Sequence, residues 1–301
     1  MKAAQRIITK PDKLSLGAVL LVVIVSYFWG LGIVGSKLAL KFFTPFAYSG
    51  FRFLIASLFL LAVAFFTGQP MPKKKRDWAG LGLLGFLHTT LLYSFLYTGM
   101  DYITAGKTIV ILNSQPFWVA LAAPLFLLEK RFNLGMVAGL LLGFIGVSVI
   151  FIKDILQFNP ADLRGGGLVL LAALSWTAGT IYAKKLMLSV TPLVTVAVQM
   201  FLGSLPLLVL GGVVPYEARL GLGLVSAALL VGLAIFCSCT PYFLWFWLLK
   251  RYPSGILSSF NFLQIIFSVA MAYPILGETV GLSLVLGAAL VSLGIYMVNR
   301  F

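Results

Sequence analysis

The segment WGLGIVGSKLALKFFTP, residues 29–45, returns in altered form as WTAGTIYAKKLMLSVTP at residues 176–192. Both are apolar stretches that carry a Lys near the end and finish in Thr-Pro. Aligned without gaps, they share residues that are always 147 positions apart, namely Trp29 and Trp176, Gly32 and Gly179, Lys37 and Lys184, Thr44 and Thr191, and Pro45 and Pro192. This repetition predicts a chain built from two related halves.

The composition predicts a membrane protein. Of the 301 residues, 61% are hydrophobic and 10% are charged, and the mean hydropathy is +1.06. A soluble domain could not bury that much apolar surface. Apolar runs of about 20 residues recur along the chain, and a helix of that length crosses a hydrocarbon core of about 30 Å. We therefore predict an all-α polytopic membrane protein.

Ten membrane spans are predicted, with short connections between them. A polar connection at 153–164, which contains the turn dipeptide Asn159-Pro160, falls near the middle of the chain. It divides the chain into a first five-helix repeat at 1–152 and a second at 165–301. The predicted spans are 15–40, 46–67, 78–100, 104–128, 133–152, 165–187, 192–211, 220–249, 254–276 and 280–299.

The positions of the cations predict the orientation, because Lys and Arg near span ends collect on the cytoplasmic side. An N-terminus inside the cell places fifteen of them inside and only Lys41, Lys153, Arg164 and Arg219 outside. Both termini are then cytoplasmic, and the protein is predicted to lie in the plasma (inner) membrane. The net charge of +14 is explained as a topology signal, so no nucleic-acid partner is needed. The run KKKR at 73–76 has a second interpretation, as a site for anionic lipid headgroups.

Spans one and six enter the membrane from opposite faces, because the second copy begins five spans after the first and five is an odd number of crossings. The repeat is therefore predicted to be inverted. Later parts of the halves also match, at an offset of 149, with Gln115 opposite Gln264 and Glu129 opposite Glu278. Inverted repeats allow one assembly to open to either side of the membrane in turn. An alternating-access carrier is the leading hypothesis.

The chain resembles a known transporter family. The resemblance rests on YFWG at 27–30, on the Lys later in the same span, and on the span ends PLFLLEKR and YPILGETV. These features are similar to the EamA type of the drug/metabolite transporter superfamily, and within it to the YddG-type exporters of aromatic and other amino acids. The resemblance implies a ten-helix basket around a central cavity, with spans five and ten at the periphery. It also implies export of a small-molecule substrate, an amino acid or related metabolite, through the lipid bilayer.

Polar stripes on several spans predict the residues that line the cavity. In span three, Thr90, Tyr93, Ser94, Tyr97 and Asp101 share one helical face, and span nine has a similar face. Such stripes face neighbouring helices or water rather than lipid. We expect amides to bind a zwitterion and aromatic rings to hold its side chain. The predicted substrate-binding residues are Tyr93, Tyr97, Asn113, Gln115, Trp176, Tyr242, Trp245, Asn261 and Gln264, with His88 and Trp29 as additions.

A second set of residues is predicted to shape or gate the path. Pro116 interrupts span four and frees a carbonyl four residues earlier. Arg52 lies inside span two and is expected to attract an anionic group. Lys37 and Lys184 have an alternative interpretation as membrane anchors, because a long side chain near a helix end can reach the lipid headgroups. The inverted carboxylates, Glu129 and Glu278, are predicted to act as end caps or gate contacts.

The acids bear on energy coupling. All eight, Asp12, Asp77, Asp101, Glu129, Asp154, Asp162, Glu217 and Glu278, fall in tails, loops or span ends, whereas proton-driven and sodium-driven carriers use a carboxylate at mid-depth. A facilitative carrier is therefore predicted. A proton-coupled exporter that uses His88, the only histidine, is the alternative.

The residues of the sequence also bear on other classes of function. An enzyme would need a nucleophile with a base, a metal cluster or paired carboxylates, and no cofactor or metal site is predicted from one histidine and Cys237 and Cys239. A pore also has polar stripes, and an exporter of drug-like organic cations also has buried indoles. Gly139 and Gly143 predict close packing of span five within a monomer, or a weak dimer.

Overall fold

The helices begin and end at the capping and breaking residues of the sequence. The computed structural model describes residues 14–127, 129, 133–157, 159–213, 223–277 and 282–300. Within these ranges the regular structure is helical. Ten helices correspond to the ten predicted spans: α1 Leu16–Ala39, α2 Pro45–Phe66, α3 Lys75–Met100, α4 in two segments Ala105–Leu112 and Gln115–Leu127, α5 Leu134–Ile150, α6 Ala161–Leu186, α7 Pro192–Val213, α8 Leu224–Arg251, α9 Ser254–Leu276 and α10 Leu282–Arg300.

Among the described residues, nine of these helices are long and apolar enough to cross a membrane, and α5, with 17 residues, is a shorter apolar helix. The predicted polytopic membrane protein is confirmed at this level. The predicted connection at 153–164 is largely helical, because a short helix spans Ile152–Leu156 and α6 begins at Ala161. Asp162 supports this early start, since its carboxylate accepts a hydrogen bond from the Asn159 backbone N–H at 2.7 Å.

Local sequence sets several of the helix ends. Ser15, Thr44 and Thr104 each precede a helix, and each side-chain oxygen accepts a hydrogen bond from a backbone N–H three residues later. The repeated Thr-Pro pairs both stand at helix starts, since α2 begins at Pro45 and α7 at Pro192. Helix α9 ends at Gly277, whose φ of +70° is a conformation that favours glycine.

The helices pack in a pattern that the two halves share. Helix α1 packs against α8 and α9, and α6 packs against α3 and α4. Helix α2 packs against α7, and α5 packs against α10. The last contact depends on glycine, because a Cβ added at Gly139 would lie 2.7 Å from the Gly294 carbonyl oxygen, and one at Gly146 would lie 2.7 Å from that of Gly287. The backbones of α5 and α10 therefore touch.

Polar and apolar side chains are distributed as in a protein surrounded by lipid. Large apolar side chains such as Phe65, Phe66 and Leu125 are more than two thirds exposed, at 80%, 84% and 71%. Polar and charged side chains such as Arg52 and Gln199 are buried. This arrangement directs the polar stripes of the sequence toward the interior, where a cavity lies.

Candidate functional site

A cavity enclosed by α1, α2, α3, α4, α6, α8 and α9 is the candidate site. The space among its lining residues measures about 1140 Å³, including the part that is open to solvent. We call the end where α1 finishes and α4 begins the open end, because Lys37, Met100 and Ala105 line the cavity there and are exposed. The opposite end, where α6 finishes and α9 begins, is the closed end.

Aromatic rings form the base of the cavity. The ring of Trp29 meets the ring of Trp176 edge-on at 5.6 Å and that of Tyr242 at 5.5 Å. The hydroxyls of Tyr93 and Tyr242 are 3.1 Å apart and share a hydrogen bond. These side chains line the cavity together with Tyr97. The rings offer both faces and edges to an organic substrate.

Two helix interruptions bring amide side chains to the same base. Helix α4 breaks at residues 113 and 114, directly before Gln115 and Pro116, because Pro116 has no N–H to continue the helical ladder. Helix α9 narrows to a 3₁₀ turn at Phe260–Phe262. Asn113, Gln115, Asn261 and Gln264 line the cavity at these two interruptions. Unwound backbone beside a cavity is tolerated at membrane depth.

Several buried polar atoms at the base have no hydrogen-bond partner among the described residues. They include three donors and one acceptor on lining side chains: Trp29 Nε1, Trp176 Nε1, Asn261 Nδ2 and Asn113 Oδ1. Leaving such atoms buried and unpaired costs free energy, so a hydrogen bond between any of them and water or a substrate would be favourable. The base is therefore equipped to bind a polar molecule with an apolar part.

A single guanidinium reaches the cavity from α2. Arg52 is 6% exposed, and its Nε donates to Ser238 Oγ at 2.6 Å while its Nη2 donates to the Cys237 carbonyl at 2.9 Å. Its Nη1 lies within hydrogen-bond distance of Tyr48 Oη at 3.2 Å and Ser36 Oγ at 3.3 Å. All four acceptors are neutral. Within the described residues no carboxylate forms an ion pair with Arg52, which therefore brings a positive charge to the cavity wall.

A buried ion pair lies at the closed end. Lys184 Nζ contacts Glu129 Oε1 and donates to the Tyr252 carbonyl at 2.6 Å, with side-chain exposures of 4% for Lys184 and 8% for Glu129. The other carboxylate oxygen accepts from the backbone N–H and the hydroxyl of Ser254, both at 2.9 Å. These bonds tie together α4, α6, α8 and α9. Removing one partner of such a pair would leave the other charge buried and uncompensated.

The open end has a different set of charges. Lys37, the repeat counterpart of Lys184, is exposed and lines the cavity. Lys107 forms an ion pair with Asp162 at 2.7 Å, which joins the start of α4 to the start of α6. Glu278, the repeat counterpart of Glu129, lies outside the described residues.

Two predicted binding residues lie behind the cavity wall. His88 stacks on Trp176 at 4.3 Å and is 0% exposed. Trp245 is also 0% exposed and contacts Trp29 and Trp176 at ring distances of 5.3 and 6.2 Å. Both residues support the lining rings rather than face the cavity.

Four residues of the α1 face that lines the cavity were absent from the sequence prediction. They are Gly32, Ile33, Ser36 and Leu40, which share that face with the predicted Trp29 and Lys37. These residues follow Trp29 at steps of three and four, so projecting the repeated segment onto a helix would have found them. Within the described ranges, no group of three His, Cys, Asp or Glu residues is placed to hold a metal ion.

The chain is similar in sequence to known membrane transporters. The sequence profile of the EamA-like transporter family matches the chain twice, over residues 16–152 and 163–300. The chain is 30% identical, over 91% of its length and 87% of the relative's, to an uncharacterized transporter of Synechocystis. It is 28% identical, over 92% of both chains, to a probable amino-acid metabolite efflux pump of Salmonella typhimurium.

The fold is also similar to a solved one. A crystal structure aligns with a TM-score of 0.80 over 94% of this chain and 97% of the matched chain, at 17% sequence identity. At that level of identity the likeness concerns the fold alone.

Proposed function

The chain belongs to the EamA-like transporter family, and from this premise we propose that it is an alternating-access carrier that exports neutral amino acids, including aromatic ones, or related small metabolites. As a member of that family it is an integral multi-pass membrane transporter. The observation that carries the proposal is a central cavity that is open at one end and sealed at the other by the buried pair of Lys184 and Glu129. One end open and one end sealed is the geometry of a carrier.

Side chains at equivalent repeat positions support two inverted five-helix halves that form a basket. Trp29 and Trp176 are 147 positions apart in sequence, and their rings are in contact. Tyr93 and Tyr242 are 149 apart, and their hydroxyls share a hydrogen bond. Equivalent residues of two related halves meet in this way only near a pseudo-two-fold axis. We place that axis through the base of the cavity.

The surroundings of α2 and α7 support the same inversion. Helix α3 has a π-helical segment at Phe86–Leu91, and α8 has one at Ile235–Cys239. Ser238 in the second segment accepts a hydrogen bond from Arg52 of α2, and Thr89 in the first donates one to Gln199 of α7. Arg52 and Gln199 are 147 positions apart, and Thr89 and Ser238 are 149 apart. Two π-helical turns at matching places suit a pair of hinges.

The ion pair at the closed end is the proposed gate. In the inverted conformation, Lys37 would take the buried environment that Lys184 has here, with Glu278 in the role of Glu129. Lys184 would then line the cavity, as Lys37 does in this structure. The cation distribution places the closed end and both termini in the cytoplasm. The structure is then open to the outside of the plasma (inner) membrane.

The substrate class follows from the base of the cavity together with the relatives. Unpaired amide and indole atoms suit the polar groups of an amino acid, and the aromatic walls suit an apolar side chain. The relative from Salmonella typhimurium is named as a probable amino-acid metabolite efflux pump. The resemblance to YddG-type exporters points to aromatic amino acids among the substrates.

Exchange in liposomes tests the proposal. Purified protein is reconstituted with unlabelled amino acid inside, and entry of the same radiolabelled amino acid is followed for an aromatic, an aliphatic and a hydroxylated member. We expect saturable entry that internal amino acid accelerates. Trp176→Ala should abolish it, whereas Trp78→Ala, which removes a Trp that is 41% exposed outside the cavity, should not. Entry that neither saturates nor accelerates would contradict a carrier and favour a pore.

A further inference from the structure

The charge of Arg52 is the feature of the cavity that the fold itself does not explain. The guanidinium is 6% exposed and lies in the interior of a membrane-spanning helix. No described carboxylate forms an ion pair with it. A buried charge of this kind is costly unless a counter-charge is supplied, so such residues in membrane proteins mark functional sites.

Neutral hydrogen bonds hold the guanidinium in a fixed orientation but do not neutralise it. Its four recorded contacts go to Ser238, Cys237, Tyr48 and Ser36. A guanidinium has five N–H groups, so one donor on Nη2 has no assigned acceptor. Space beside that nitrogen is kept by a glycine, since a Cβ added at Gly32 would lie 3.4 Å from Nη2.

The second half of the chain shows that a charge is unnecessary for the structural contact. The repeat counterpart of Arg52 is Gln199, which is 0% exposed and accepts a hydrogen bond from Thr89 at 2.9 Å. This neutral amide links α7 to the π-helical segment of α3. Arg52 links α2 to the π-helical segment of α8 in the same manner. The link therefore needs a hydrogen-bonding side chain, and the positive charge serves another purpose.

We propose that Arg52 is the receptor for the carboxylate of the transported molecule; in this conformation the open end of the cavity connects Arg52 to solvent. This inference rests on the proposed function and specifies its substrate class. The remaining groups of the substrate face Asn113, Asn261 and the rings of Trp29 and Tyr242 at the base. A guanidinium is suited to a carboxylate because its donors form a planar fork.

The proposal also decides between amino acids and organic cations. None of the described lining residues is Asp or Glu, whereas Lys37 and Arg52 both line the cavity. A substrate with a net positive charge would meet two cations and no described anion. Molecules that carry a carboxylate are therefore selected, and drug-like cations that lack one are rejected.

Binding in detergent tests the receptor independently of transport. The probes are L-phenylalanine, L-leucine and L-threonine, each paired with its amide, and the readout is the fluorescence of the cavity tryptophans. The wild type should bind at least one free acid at least tenfold more tightly than its amide. Arg52→Gln copies the neutral counterpart Gln199, so it should fold, keep the amide affinity and lose the preference for the acid.

A matched control removes a cation from the same end of the molecule. Lys41→Gln eliminates an exposed cation beyond the end of α1 that does not line the cavity, and it should leave the preference for the acid unchanged. Arg52→Lys keeps the charge without the fork and should retain part of the preference. If Lys41→Gln lowers the preference for the acid as much as Arg52→Gln does, the preference arises from the general positive charge of this end of the molecule, and the proposal is overturned.

The outcomes separate this inference from the proposed function. Equal affinity for each acid and its amide in the wild type overturns the receptor role, whether or not Arg52→Gln folds. Absence of acid binding by any probe overturns it as well. Amino-acid exchange in liposomes with no preference for acids leaves the carrier standing without the receptor. Preference for acids with no exchange leaves the receptor standing without the carrier.

Discussion

At the scale of single residues, the base of the cavity holds polar atoms that have no hydrogen-bond partner among the described residues. Trp29, Trp176, Asn113 and Asn261 each contribute one buried atom that no described group satisfies. Unmade hydrogen bonds of this kind cost free energy in the empty site and are recovered when a ligand binds. Their number and chemistry determine which molecules the cavity retains.

The amides of α9 are expected to contribute directly to transport. Gln264→Leu and Asn261→Leu each remove donors and acceptors from the cavity at similar side-chain volume. We predict that each lowers the exchange rate about fivefold, because a hydrogen bond to the substrate contributes about 1 kcal/mol. Protein yield and thermal stability in detergent should stay close to the wild type.

The control for these substitutions is Gln157→Leu, which replaces an exposed glutamine that does not line the cavity. It should leave the exchange rate unchanged. Wild-type exchange by both Gln264→Leu and Asn261→Leu would show that the amides of α9 do not contact the substrate.

Helical spacing predicted many residues of the site but not which of them reach the surface of the cavity. Tyr93 and Tyr97 lie one turn apart on the face that reaches the cavity. Trp245 shares a helix with Tyr242, three residues away, yet it lies behind the wall in contact with Trp29 and Trp176. Spacing identifies a face of a helix, whereas the outline of the cavity depends on which neighbour covers that face. The setting of Arg52 depends on a π-helical turn of α8, for which the sequence gives no simple signal.

At the scale of helices, two features determine the geometry of the site. The interruptions in α4 and α9 place amides at the base, and close glycine contacts fix the paired helices of the periphery. The interruption of α4 was foreseeable from Pro116. The 3₁₀ turn of α9 was not, because no proline or glycine occurs between Ser258 and Leu263.

The contact between α5 and α10 predicts a sharp difference between two glycine substitutions. A Cβ at Gly139 would lie 2.7 Å from the backbone oxygen of Gly294, so Gly139→Ala must push the helices apart. We expect it to lower the free energy of unfolding by about 1–3 kcal/mol, the usual cost of overpacking. Thermal unfolding in detergent measures the change.

Gly232 of α8 provides the matched control, since a Cβ added there meets nothing within 4 Å. Gly232→Ala should leave the stability unchanged or raise it, because alanine favours the helix. A loss of stability as large as that of Gly139→Ala would mean that helix packing at Gly139 is not the cause.

At the scale of the whole molecule, the distribution of titratable groups argues against proton coupling. Among the described residues, the acids Asp77, Asp101, Glu129, Asp154 and Asp162 lie at the ends of the ten long helices or between those helices. His88 is enclosed behind Trp176. A pH difference across the bilayer should therefore leave the exchange rate in liposomes nearly unchanged.

Accumulation of substrate far above equilibrium under an imposed pH gradient would contradict that expectation. In that case His88→Ala becomes the decisive variant. If it abolishes accumulation and preserves exchange, His88 is the coupling residue.

The predicted orientation has its own test. In a background with Cys237 and Cys239 replaced by alanine, a single cysteine introduced as Lys2→Cys should react with a membrane-impermeant maleimide only after the cells are opened. The reason is the excess of Lys and Arg that an N-terminus inside the cell places on the cytoplasmic side. Labelling in intact cells would mean that the N-terminus lies outside the cell. The orientation would then be the opposite of the predicted one, and the cavity would open to the cytoplasm.

Reciprocal accessibility of the two ends tests the central claim, alternating access, most directly. Leu40 lines the cavity at the open end, and its repeat counterpart Met187, 147 positions later, is 0% exposed at the closed end. In the same cysteine-free background, Leu40→Cys should react rapidly with a water-soluble maleimide and Met187→Cys slowly. Adding Glu129→Gln leaves Lys184 buried without its partner, a change that costs about 3–5 kcal/mol, and should speed labelling at 187 while slowing it at 40. Labelling that rises at both positions, or that changes at neither, would contradict alternating access.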